Sequence, residues 1–190
     1  MTDGESLLGR VVSSISSSGG PTESGRSQKS ILSQAAASFA RRPDGAESTI
    51  PTGFDPLAAS LFEAVIEAAF LVANADGVFD NTERETFEKV VAEACQNTVQ
   101  KASLHALVSD LVDQLEEDGV DQRIKMVSTV VSSDEHKLEV LRIAALMAHI
   151  SGGVDASEAD IMAKLASGFG LADDAVETAV AQAKAALGDV

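Results

Sequence analysis

The chain has 190 residues, of which 45% are apolar and only 4% aromatic, with no Trp or Tyr. This apolar content is enough to fill one core, and its bias towards Ala, Val, Leu and Ile suits helix packing better than a sheet. The net charge of −16 repels phosphate backbones, which argues against nucleic acid as a partner and favours cations or basic protein surfaces.

The first 50 residues differ in composition from the rest. Residues 1–50 carry five Lys/Arg and five Asp/Glu, whereas residues 51–190 carry nine and 25, so the whole net charge lies in the second region. Segments such as SSISSSGGPTESGRS cannot bury enough apolar surface to offset the entropy of ordering them. We therefore expect a mostly disordered, Ser/Gly-rich tail over residues 1–50 and a helical domain over residues 54–187.

Two stretches of this tail resemble each other: SLLGRVVSSI at 6–15 and SILSQAAASF at 30–39. Each places apolar residues at helical intervals, which predicts a short amphipathic helix that is marginal in water by itself. One interpretation is a tandem short linear motif that docks to a protein partner or larger assembly. The alternatives are chance similarity and helices that pack on the chain's own domain. The predicted partner-docking residues are Leu7, Leu8, Val11, Ile15, Ile31, Leu32, Ala35 and Phe39.

The domain opens at FDPLAASLFEAVIEAAFLVANADG, where Asp55 is a good N-cap and Pro56 suits the first helical position. A long apolar helix follows to about residue 75, and a second helix runs from 82 to about 95. The pattern predicts further helices at about 102–117, 120–132, 135–150, 157–168 and 173–187. No stretch shows the two-residue alternation that is typical of a strand.

The location of the protein follows from what the sequence lacks. No apolar stretch reaches the roughly 20 residues that cross a bilayer, and the longest is interrupted by Glu67 and Asn74. The opening residues MTDGES lack the features of a secretory signal, and the single Cys95 cannot form an internal disulfide. We expect a cytoplasmic protein without a transmembrane segment, with Cys95 as a small core residue.

An internal repeat is visible when residues 65–90 are laid on residues 140–165 without a gap, at a constant offset of 75. Eight of these 26 positions are identical, among them Gly77/Gly152 and Lys89/Lys164. This similarity indicates duplication of a helix, loop, helix unit, and it predicts two halves related by a pseudo-twofold axis.

The loop of the first copy reads ANADGVFDNTERE. Asp76, Asp80 and Glu83 offer oxygen ligands at a spacing compatible with a divalent cation, Ca²⁺ or a similar ion, and Gly77 permits the sharp turn between them. The loop is not an EF-hand, because it lacks that motif's length and its final bidentate Glu.

The loop of the second copy reads AHISGGVDASEAD and supplies Asp155 and Glu158, with Ser151 in place of the first acid. An alternative interpretation of both loops is helix capping. Asp at an N-cap accepts a backbone N–H, while Glu three residues later accepts the N–H of the cap itself. Capping accounts for Asp80 with Glu83 and for Asp155 with Glu158. It does not account for Asp76.

ANADGVFDNTERETFEKV, its degenerate later copy and the closing GFGLADDAVETAVAQA resemble the tellurite-resistance TerB-type domain over about residues 57–187. The resemblance implies an all-α bundle of about seven helices, with acidic inter-helix loops proposed to bind metal. It also implies a role in tellurite resistance or in wider chemical and metal stress, as a sensing or scaffolding partner and not as a catalyst. The family's acidic positions fall on Asp76, Asp80, Glu83, Asp155 and Glu158.

No enzyme site is evident. His105, His136 and His149 are far apart in sequence, and neither a zinc-binding spacing nor a Gly-x-Ser-x-Gly elbow is present. The leading hypothesis is a non-enzymatic TerB-like adaptor that binds a divalent cation or a basic partner through its acidic loops and docks through its tail. The alternative is a tellurite or metal stress-resistance protein that acts through the helical domain alone.

Overall fold

The computed structural model describes residues 6–17, 19–21, 27–28, 30–43 and 53–188. These residues form an all-α fold with one pair of short antiparallel strands, β1 (Gly19–Pro21) and β2 (Ser27–Gln28). In chain order the helices are α1 (Leu7–Ser16), α2 (Ile31–Phe39), α3 (Pro56–Ala73), α4 (Asn81–Ala94), α5 (Lys101–Asp118), α6 (Val120–Val130), α7 (Asp134–Ala148), α8 (Ala156–Phe169) and α9 (Ala175–Leu187). The all-α prediction is confirmed. The two strands were not predicted, because strands of two and three residues are too short to show alternation.

Helix α3 forms the centre of the fold. Its N-cap Asp55 accepts hydrogen bonds from the backbone N–H groups of Leu57 and Ala58 at 3.0 and 3.3 Å, and Pro56 occupies the first helical position. Among the described helices only α3 is long and apolar enough to cross a membrane, and 61% of it is buried inside the fold. It packs against α2, α5, α6, α7 and α8, so its apolar character is that of a core helix.

The first two helices belong to the same core. α1 packs on α4, α7 and α9, while α2 packs mainly on α3. Six of the eight predicted docking residues are buried in this core, and two are partly buried against it: Val11, Ile15, Ile31, Leu32, Ala35 and Phe39 are buried, and Leu7 and Leu8 are partly buried. The prediction of a disordered tail therefore needs correction for 7–16 and 31–39, because these helices bury their apolar faces on their own domain.

Polar contacts fix both helices in place. The hydroxyls of Ser16 and Ser33 donate to the carbonyl of Ala94 at the C-terminal end of α4, at 3.1 and 3.2 Å. The backbone N–H of Ile31 donates to Glu139 of α7 at 2.7 Å. A partner could reach the buried docking residues only after these contacts had broken. The rest of the predicted tail, at 1–5, 18, 22–26, 29 and 44–50, lies outside the described residues.

The similarity between the two stretches has a structural explanation. Ser6 and Ser30 are the N-caps of α1 and α2, and their hydroxyls accept the backbone N–H groups of Gly9 and Ser33 at 3.2 and 3.1 Å. Each cap is followed by one buried apolar stripe. The shared pattern is thus that of a capped helix with one face in the core.

The helix boundaries match the 75-residue offset seen in the sequence. α3 ends at Ala73 and α7 at Ala148, while α4 and α8 each have 14 residues and begin 75 residues apart. We call residues 74–80, between α3 and α4, the first loop, and residues 149–155, between α7 and α8, the second loop. The two loops have equal length and occupy equivalent places between their helices.

Candidate functional site

The first loop is shaped by Asp76 and Gly77. Asp76 Oδ1 accepts the backbone N–H of Val78 at 2.9 Å, which closes a tight turn around the glycine. Gly77 has a φ of 79°, a conformation that a residue with a Cβ rarely adopts. The turn leaves the carboxylate of Asp76 at the surface.

The first loop ends in a capping box at the start of α4. Asp80 Oδ1 accepts the backbone N–H groups of Thr82 and Glu83 at 2.7 and 2.9 Å. In return, Glu83 Oε2 accepts the N–H of Asp80 at 3.0 Å. One oxygen of each carboxylate is thus used by the helix start.

The second loop ends in the same arrangement at the start of α8. Asp155 Oδ1 accepts the backbone N–H of Glu158 at 2.9 Å and the hydroxyl of Ser157 at 2.8 Å. Glu158 Oε2 accepts the N–H of Asp155 at 3.0 Å. The capping interpretation is therefore correct for one oxygen in each of the four carboxylates that form the two boxes.

The two loops meet at one cavity of about 310 Å³, which we call the acidic cavity. Its lining residues are Ala73, Asp76, Glu83, Ser151, Gly152, Gly153, Asp155, Ser157 and Glu158. Four of the five predicted ligands are thus brought together, whereas Asp80 is not among the lining residues. The loops converge because α3 packs against both α7 and α8, a contact that the sequence pattern does not reveal.

Each of the five predicted ligands uses one carboxylate oxygen in the bonds above. The other oxygen of each carboxylate takes no part in those bonds, although the backbone N–H of Ser157 also acts on the Asp155 carboxylate. Across the same ranges, no group of three or more His, Cys, Asp or Glu side chains is close enough together to hold a metal ion. An ion in the acidic cavity would therefore take few protein ligands and keep several waters, as Mg²⁺ commonly does.

The charges of the two loops act on one another. Burial raises the pKa of Glu158, and the negative charges of Asp155 and Asp76 raise it further, although the N–H of Asp155 opposes them. Asp76 belongs to the first loop and Glu158 to the second capping box, so the two loops share one electrostatic site. A bound cation would offset this repulsion.

Asp155 shows the opposite shift, and this gives a testable pH dependence. The backbone N–H of Glu158, with the hydroxyl of Ser157, lowers its pKa below the ordinary value of 3.8. Its contribution to stability is therefore complete above that value and is lost as the pH falls through the lowered pKa.

We expect Asp155→Asn to be less stable than the parent chain at about pH 5, with a difference that shrinks towards about pH 3. Urea unfolding at both pH values measures the difference. The matched control is Asp174→Asn, since Asp174 is the N-cap of α9 but its side chain makes no capping hydrogen bond. A difference that is independent of pH, or equal in the two variants, would contradict the capping account.

An apolar cavity of about 270 Å³, which we call the apolar groove, adjoins the acidic cavity. Its lining residues are Ala73, Phe79, Thr82, Glu83, Thr86, Phe87, Met147, Ile150 and Ser151. Ala73, Glu83 and Ser151 line both cavities. The groove was not predicted, although Phe79 and Ile150, apolar residues within or at the end of polar loops, were a signal of it.

His149 and Cys95, the two other side chains considered as functional groups, are part of the packing. His149 Nδ1 lies 2.7 Å from the carbonyl of Ala145, to which it donates, so this ring is bonded to its own helix. Cys95 is buried, and burial raises the pKa of its thiol to about 12. The thiol is therefore protonated at neutral pH, as suits the predicted core residue.

A buried ion pair between α3 and α6 was not predicted from the sequence. Arg123 of α6 donates from Nε to Glu67 of α3 and from Nη1 to Asp118 at the end of α5, the latter at 3.0 Å. The sequence signal of this ion pair is Glu67, the acidic residue that interrupts the apolar run of α3. The three side chains join the α5–α6 corner to the central helix.

No protein-family model, curated protein or solved structure matches this chain. A functional proposal therefore rests on the chemistry of the two loops and of the groove beside them. The likeness to the TerB-type domain stays a prediction.

Proposed function

We propose that the chain is a non-enzymatic, TerB-like binding protein whose two loops together hold a divalent cation, Ca²⁺ or a similar ion. The observation that carries the proposal is the acidic cavity, which is lined by Asp76 and Glu83 of one repeat and by Asp155 and Glu158 of the other. Each of these carboxylates keeps one oxygen outside the capping bonds described above. Oxygen ligands of this kind suit hard cations.

The repeat is part of the same proposal. We infer that α3 with α4 and α7 with α8 are duplicated units related by a pseudo-twofold axis. The matching helix ends, loop lengths and capping boxes support this inference. Under such symmetry one cation would lie between the loops and draw ligands from both.

The position of α1 and α2 favours action through the helical domain alone over docking through a free tail. Six of the eight predicted docking residues are buried in the core and the other two are partly buried against it, which supports this choice. We therefore propose a cytoplasmic metal-responsive or stress-response protein in which α1 and α2 complete the domain. Tellurite resistance is one form that this role could take. Binding of a basic partner at the acidic cavity is the second candidate, favoured by the adjoining apolar groove.

The cation proposal predicts a rise in melting temperature with Ca²⁺, Mg²⁺ or Mn²⁺. A ligand that binds only the folded state at 100 times its Kd adds about 2.7 kcal/mol to stability. Thermal unfolding of the full chain, followed by circular dichroism with and without each ion, measures the rise.

The variant Asp76→Asn with Glu83→Gln removes two charges while keeping the acceptor oxygens of the turn and the capping box. We expect it to lose the ion-dependent rise. The matched control, Glu116→Gln with Glu117→Gln, changes the net charge equally at the exposed end of α5 and should keep the rise. An equal response of both double variants would mean that the ions act through general charge screening.

A further inference from the structure

We propose that the apolar groove docks a basic amphipathic segment of a partner protein, whose apolar side chains enter the groove while its Lys or Arg residues reach the acidic cavity. This inference rests on the proposed function, because the same carboxylates must accept a positive charge. It goes further by naming the chemistry of the partner.

The groove is formed in advance by packed aromatic side chains. Phe79 meets Phe70 and Phe87 edge to face, with ring centroids 5.2 and 5.9 Å apart. Met147 near the end of α7 and Ile150 of the second loop complete the wall. Because Phe79 and Ile150 are only partly buried, an incoming apolar side chain would cover surface that is now wet.

The groove and the acidic cavity form one continuous surface. Ala73, Glu83 and Ser151 line both. Lys and Arg have the complementary build, because their apolar stems lie along apolar surface while the charged heads stay in polar surroundings. A segment with apolar residues next to Lys or Arg at helical spacing would satisfy both parts at once.

Charge complementarity selects this occupant over the others. The chain has a net charge of −16, and four carboxylates line the acidic cavity beside the groove. A second copy of the chain would bring a like-charged molecule to this rim, and an anionic lipid surface would be repelled in the same way. A basic segment is attracted instead, and the attraction falls as salt is added.

Three labelled peptides of about 12 residues, too short for much helix alone, serve as probes. The first has Leu and Lys at helical spacing, the second has Ser in place of each Leu, and the third has Glu in place of each Lys. Fluorescence anisotropy with the full chain measures their affinities. We expect the Leu/Lys peptide to bind at least about tenfold more tightly than either of the others.

Two variants test whether the peptide lies in the groove. Ile150→Ser removes part of the apolar wall, and Thr86→Lys adds a positive charge to its edge. Each should lower the affinity for the Leu/Lys peptide by about tenfold. Leu57→Ser changes an apolar residue that is 82% exposed and lies outside the groove, and it should leave the affinity unchanged. Far-UV circular dichroism shows which variants are folded, and either folded groove variant suffices for the test.

The outcomes separate this inference from the cation proposal. Ile150→Ser should keep the ion-dependent rise in melting temperature, while Asp76→Asn with Glu83→Gln should lose both the rise and the peptide binding. If neither groove variant changes the affinity for the Leu/Lys peptide, the docking inference is overturned and the cation proposal is unaffected. A dimer of the chain that Ile150→Ser dissociates, seen by sedimentation equilibrium, also overturns it, because the occupant would then be a second copy.

Discussion

Arg123→Ala is expected to destabilise the fold by about 3–5 kcal/mol, because it leaves Glu67 as a buried carboxylate without its partner. Glu67 and Arg123 are 7% and 9% exposed, so water cannot hydrate the Glu67 carboxylate once its partner is removed. Burial already raises the pKa of Glu67 despite the opposing effect of Arg123. The loss should therefore be largest at high pH and should shrink as the pH falls and Glu67 takes up a proton.

Urea unfolding at about pH 8 and about pH 5 measures this effect. Lys164→Ala is the control, because Lys164 and its partners Asp121 and Asp160 are 42%, 85% and 64% exposed, and such surface pairs contribute about 0–1 kcal/mol. The paired replacement Glu67→Leu with Arg123→Met should recover most of the loss, since an apolar pair leaves no buried charge. If Arg123→Ala costs no more than the control, the ion pair does not hold the α5–α6 corner as described.

Phe39→Ala is expected to cost about 3–5 kcal/mol, although this residue lies in the segment that the sequence assigned to a disordered tail. The Phe39 ring is 7% exposed and lies 4.7 Å, centroid to centroid, from the fully buried ring of Phe62 in α3. Removing it would leave a void between α2 and the central helix.

Guanidinium unfolding of the full chain measures this loss. Leu57→Ala, which trims a largely exposed side chain at the start of α3, should change stability little. A Phe39→Ala variant as stable as this control would show that α2 is separate from the domain, and the docking interpretation of the tail would then return.

Much of the helical domain was readable from local signals. The predicted helix at 82–95 is α4 (Asn81–Ala94), and the one at 157–168 is α8 (Ala156–Phe169). Both begin at an Asp with a Glu three residues later, a pattern whose physical effect is confined to one helical turn. These helix starts could be predicted because the hydrogen bonds that fix them join residues no more than three positions apart.

The role of α1 and α2 could not be read in the same way. Their helical periodicity was recognised, but their Ser/Gly-rich surroundings favoured a tail. Their stability comes from distant contacts, such as the bond from Ser33 to the carbonyl of Ala94, 61 residues later in the chain. A short apolar stripe alone does not reveal whether it faces its own core or a partner.

The candidate site also has features that local spacing predicts and features that only helix packing determines. The acids of each loop were found from spacing, and so was their capping alternative, because both depend on residues three positions apart. The meeting of the two loops, the exclusion of Asp80 from the acidic cavity and the presence of the groove depend on how α3 packs against α7 and α8.

The most direct test of the cation proposal is an amide NMR spectrum of the ¹⁵N-labelled full chain, recorded as small amounts of Mn²⁺ are added. The paramagnetic ion broadens amide signals close to it. The proposal predicts that Gly77 of the first loop and Gly152 and Gly153 of the second broaden together and before all others, and that Ca²⁺ restores them. Broadening that starts elsewhere, such as at Glu116 and Glu117, or that affects only one loop, would contradict a shared cation site.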